Sequence, residues 1–169
     1  MANEEAKTET DLMLNLATEL DMESDRAMAI LAGSYLDHLL RRLITLALNL
    51  QEIPEAATKF LFEGPNAGLA TFSSRIEMAR RLGLFDKGEI RDLTLIRKVR
   101  NEFAHEFIGI SFETGSVANR CWELEAAKVD EVPPTARECF KKAAVRLMVN
   151  VLLQIQSFNK HSPNTSANP

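Results

Sequence analysis

Two cysteines, three histidines, one tyrosine and one tryptophan are all that 169 residues supply of the scarcer side chains. Cys121 and Cys139 fall in no CxxC or Cys/His spacing, which argues against a disulfide framework or a zinc knot and suits a reducing cytoplasm. On helices, both are expected to be small buried hydrophobes. The histidines His38, His105 and His161 form no HxxxH or HExxH pair, so no metal site is expected. Neither GxGxxG nor GxxxxGK[ST] occurs, so no nucleotide cofactor is expected either. Seven glycines, six prolines and 7% aromatics exclude a collagen and argue against an all-β chain. No apolar run approaches the length of a membrane span. The opening MANEEAKTETD has no apolar core and reads as neither signal nor transit peptide. Positive charge is also in short supply. Twenty Lys+Arg against 24 Asp+Glu leave a formal charge of −4, where a protein that grips DNA phosphates shows a basic balance or face.

What is present is a 3.6-residue apolar period, segment after segment. One domain over 8–159 is expected, between a disordered 1–7 and a Ser/Asn/Pro-rich tail at 160–169. Its length lets about 70% of the chain's surface be buried, so no disulfide or metal staple is required. Thr10 or Asp11 opens a first helix with Leu12, Leu16 and Leu20 on one face. Ser24 or Asp25 caps a long second helix to about Leu50, whose apolar positions (Ile30, Tyr35, Leu36, Leu39, Leu40, Leu43, Ile44) nearly circle it, which predicts a central helix. Pro54 starts a short third helix that Gly64-Pro65-Asn66 ends. Thr71 or Ser73 starts a fourth, stopped by Gly83. Asp86 with Glu89 makes a capping box for a fifth, to about Glu106. FIGISFE at 107–113 reads as a short strand or extended loop, a sixth helix covers about 116–128, and a last one follows Pro133-Pro134 over about Thr135–Phe158. The fold class is all-α, a compact domain of about seven helices.

Ala79-Arg80-Arg81-Leu82-Gly83 has the spacing of a helix-turn-helix turn. The positions six and nine residues beyond Gly83, which should be apolar, are Glu89 and Asp92, and the helix opens on acids that phosphates would repel. A plain helical hairpin is expected there. Polar side chains concentrate elsewhere. Arg97, Asn101 and His105 share one stripe of the fifth helix, flanked by Arg100 and Glu102. Ser34, Asp37, His38 and Arg41 form another on the second helix. Charges between helices persist only when paired, so the two stripes are expected to meet, with Asp37 against Arg97 or Arg100.

These segments carry a resemblance. SDRAMAILAGSYLDHLLRRLI, then LFEGPNAGLATFSSRIEMARRLGLFDKGEIRDLTLIRKVRNEFAH, then ISFE and VANRCWEL, together about residues 24–124, resemble the mannitol operon repressor (MtlR) family. The resemblance implies a non-enzymatic, cytoplasmic, all-helical protein without an evident DNA-binding motif. It also implies repression of a mannitol uptake and utilisation operon, and without a DNA-reading motif the expected route is contact with another regulatory or transcription protein. A shorter likeness, Arg100-Asn101-x-x-x-His105, is similar to the R-x4–6-H motif of HEPN domains. That likeness implies an RNA-binding or metal-independent RNA-cleaving module, with the histidine as general base and the arginine stabilising the phosphorane.

Two expectations follow for the structure. Apolar residues on more than one face of the second and last helices (Val145, Leu147, Met148, Val151, Leu152, Ile155 in the last) point to a homodimer or to a thick monomeric core. Arg100, Asn101 and His105 should be partly buried and bonded to the second helix through Asp37 if the repressor resemblance holds, and exposed along a cleft if the HEPN likeness does.

Overall fold

The computed structural model of the chain describes residue 11 and residues 14–106, 108–125 and 135–161. Residues 14–21 form α1, and Asp25–Ala47 form α2. A 3-10 turn at Leu50–Glu52 leads to α3 (Glu55–Phe62), α4 (Phe72–Arg81), α5 (Lys87–His105), α6 (Gly115–Trp122) and α7 (Ala136–His161). No strand occurs among the described residues, and the all-α expectation holds. Residues 1–7, most of the expected tail and Pro133-Pro134 lie outside the described residues, while α7 runs on through Lys160 to His161.

Local chemistry sets most boundaries. The Ala27 N–H donates to Ser24 Oγ at the start of α2. Thr71 and Ser74 cap α4 reciprocally, and Asp86 and Glu89 do the same for α5. Gly83, at φ 67°, takes the left-handed conformation that turns the chain between α4 and α5. Thr135 and Glu138 make the same exchange at the head of α7.

The α2 helix is central, packing on α7, α5 and α4, while α6 closes over α5 and α7. Met28, Ala32, Leu36, Leu40, Leu43 and Ile44 of α2 are fully buried. A ladder of rings, Phe103–Phe112–Phe140 with centroids 5.1 and 5.2 Å apart, ties α5 and the 108–114 loop to α7. A smaller cluster of Ile44, Leu50, Phe62 and Leu69 lies under α3.

Two expectations are corrected in this region. The described part of the 107–113 stretch is loop. Its backbone bonds locally, Ser111 N–H to Thr114 Oγ1 and Thr114 N–H to the Ser111 carbonyl, while Phe112 N–H donates to Asp25 and its ring enters the core. The α6 helix stops at Trp122 rather than near 128. Leu124 turns into the core, and the Glu125 N–H is taken by the Asp92 carboxylate at 3.1 Å. The last-helix apolar set is also accounted for. Val145, Leu147, Met148, Val151 and Ile155 are all buried within the one chain, and Leu152 packs against that core. The thick core accounts for these six residues of the last helix.

Candidate functional site

Of the seven polar residues expected to gather between the second and fifth helices, five fall into two groups and His38 and His105 stand outside both. Asp37 and Arg41 face α3 and α4. Asp37 accepts from Arg75 of α4 at 2.5 Å, not from Arg97 or Arg100. The Arg75 side chain is only 9% exposed and also donates to the Ala70 carbonyl. Arg41 pairs with Glu63 at 3.0 Å, and that contact holds the Glu63 carboxyl below its usual range. The buried Phe62 ring lies beneath both cations, with the guanidinium carbons of Arg41 and Arg75 at 4.8 and 5.8 Å from its centroid. The expected ionic cross-tie therefore exists, but between α2, α3 and α4.

Arg97, Arg100 and Asn101 form the second group. Arg26, near the start of α2, donates to the carbonyls of Phe103 and Glu106 at the end of α5, so the two helices run antiparallel. Where they cross, the stem of Arg100 lies directly on Gly33. Arg100 donates to Asn101 Oδ1 at 3.0 Å, and its Nε is buried with no partner. Neither Arg97 nor Arg100 has an ion pair among the described residues. His38 and His105 are exposed. The expected burial of His105 against α2 is thus overturned, because His105 lies about 200° around α5 from the buried Phe103, on the outward face. Glu102 points to the other side of α5, where Arg120 and Ser116 of α6 bond it.

Arg75 was absent from the sequence-derived candidates, although a signal existed. It falls in the inward register set by Phe72, Ile76 and Ala79, where a charge needs a partner.

A third feature is apolar. An open groove of about 590 Å³ lies between α1, α2 and α7, lined by Leu16, Leu20, Leu31, Ala32, Tyr35 and Met148. Glu19 and Glu23 form its rim, and Met22, at 84% exposed, stands at its edge. Tyr35, part of the encircling apolar pattern of α2, and its neighbour Leu31 line this groove instead of the core, at 38% and 51% exposed.

The opening turns of the would-be recognition helix carry acids that are already engaged. Asp86 and Glu89 are engaged in its cap, Asn150 donates to Glu89, and Asp92 is buried. No group of metal-ligating side chains occurs among the described residues. No helix among them is long and apolar enough to cross a membrane. Burial pushes the Cys121 thiol up to about 12.

No protein-family model and no curated protein matches the chain. Among solved structures it is similar to the X-ray structure of the MtlR-HPr complex from Escherichia coli, with a TM-score of 0.56 and 17% identity. The match covers 88% of this chain and 98% of that one. The likeness is one of fold: the chain has an MtlR-like helical architecture over most of its length.

Proposed function

We propose that this chain is a non-enzymatic cytoplasmic regulator that works by docking a protein partner in the groove between α1, α2 and α7, and that it thereby lowers expression of a sugar-uptake operon, mannitol's being the first to test. The groove carries this reading. Leu31 and Tyr35 leave apolar surface open on the central helix, and an aromatic side chain beside a depression is the usual anchor of an interface. The structural neighbour supports it, since that structure is a complex with HPr. An HPr protein from the same cell is therefore the first partner to titrate. Calorimetry of the full chain should give saturable binding, and Leu31→Asp should weaken it by at least about tenfold, the loss of one buried apolar contact. Equal affinity in both proteins would place the partner elsewhere. Self-association through the same groove is the competing use, and light scattering of wild type and Leu31→Asp separates it from partner docking.

The RNA-cleaving alternative is favoured by one observation, the exposure of His105. Helical geometry opposes it. Five residues turn a helix by about 140°, so Arg100 and His105 of one chain do not face one phosphate. Metal-free incubation with single-stranded RNA should leave the RNA intact.

A further inference from the structure

We propose that the α2–α5 crossing binds a phosphate monoester dianion, with Arg97 and Arg100 as its cations and Asn101 as its amide donor. The inference stands apart from the partner-docking groove and does not rest on it.

Two guanidiniums stand on this part of α5 and no carboxylate among the described residues pairs with either. Arg97 and Arg100 are three residues apart on α5, hence neighbours on its surface, and both are half-buried. Two acids of these helices are already engaged: Asp37 by Arg75, and Glu102 by Arg120 and Ser116. Arg100 is held in place. Its stem rests on Gly33, where a β-carbon would stand 2.7 Å from Cγ, so only glycine admits it. Asn101 Oδ1 accepts from Arg100, which leaves the amide NH2 as the free donor of that side chain. The side chains offered are therefore two guanidiniums and an amide, with an orphaned Nε behind them. Beyond the Arg100–Asn101 bond neither guanidinium has an anionic partner, and an anion that accepts from their remaining N–H groups supplies one.

The charge selects the ligand. A carboxylate neutralises one guanidinium, whereas a phosphate monoester near neutral pH carries nearly two charges and three acceptor oxygens. The monoester belongs either to a free small molecule or to a phosphorylated side chain.

Calorimetric titration of the full chain at constant ionic strength tests this. The probes are inorganic phosphate, glycerol 3-phosphate, and a neutral phosphoserine peptide with its unphosphorylated form. Saturable millimolar or tighter binding is expected. Arg97→Gln and Arg100→Lys should each weaken it about tenfold, the worth of one charge-assisted hydrogen bond. Arg91→Gln, which removes a cation ion-paired to Glu123 and Glu125, should leave it unchanged. Circular dichroism of each variant establishes that it is folded. Tighter binding of the phosphopeptide than of glycerol 3-phosphate identifies a protein source, and equal binding a free one. Absence of saturable binding, or an equal loss in Arg91→Gln, would overturn the site. So would oligonucleotide binding at this face that glycerol 3-phosphate cannot displace.

Discussion

Arg100 lies across Gly33, so closely that a methyl group on the glycine would sit 2.7 and 2.8 Å from Arg100 Cγ and Cβ. These atoms are the root of the side chain, not its flexible end, so the arginine cannot swing clear. Gly33→Ala gains at most about 1 kcal/mol of helix propensity. Overpacking costs about 1–3 kcal/mol, and the clash prevails. Urea unfolding should show a net loss of about 1 kcal/mol. A more stable Gly33→Ala protein would mean that α2 and α5 are not in this register.

Asp37 and Arg75 make a sharper prediction. Removing Asp37 leaves a guanidinium that is 9% exposed without its counter-ion, which should cost about 3 kcal/mol in Asp37→Ala. Glu63→Ala, which breaks a half-exposed pair with Arg41, should cost less than about 1 kcal/mol. The two variants unfolding alike would contradict the assignment of Arg75 as the buried partner.

Asp92 gives a dependence on pH. Burial raises its carboxyl above the usual value of 3.8, partly opposed by the bond from the Glu125 N–H. An acid whose folded pKa is raised binds its proton more tightly in the native state. It therefore destabilises the fold above that pKa, and the penalty fades as pH falls through it toward the unfolded value. Asp92→Asn keeps an oxygen for the Glu125 N–H and should be more stable than wild type at pH 7. The difference should vanish in acid. A stability gain that grows as pH falls would contradict the sign.

Much of the fold is legible because its signals are local. Ser24, Thr71 and the Asp86–Glu89 box cap helices within four residues of themselves, and Gly83 turns the chain where its sequence position suggests. The end of α6 is not legible, because it is set by Asp92, 33 residues away from the N–H it captures. The candidate site fails for the same reason. Stripes of polar residues on α2 and α5 are visible at helical spacing, but the sequence does not state that α4 brings Arg75 to Asp37, or that a glycine marks the crossing. The groove is hidden by a different ambiguity. An apolar residue reads alike whether it faces a core, as Leu36 does, or an opening, as Tyr35 does.

The buried thiols offer a simple check of packing. Cys121 and Cys139 are both fully buried, and the Cys121 thiol is held at about 12, so thiolate is scarce near neutral pH. Native protein should react with neither cysteine on the timescale of a thiol-disulfide reagent assay, and both should react after unfolding. Rapid labelling of Cys121 in native protein would show that α6 does not sit on α7 as described.

The most direct measurement is a titration of the partner proposed above into wild-type, Leu31→Asp and Arg91→Gln protein under one set of conditions. Docking in the α1–α2–α7 groove predicts saturable binding to wild type and Arg91→Gln with equal affinity, and at least about tenfold weaker binding to a folded Leu31→Asp. Equal affinity for all three, or no binding to wild type, would contradict it.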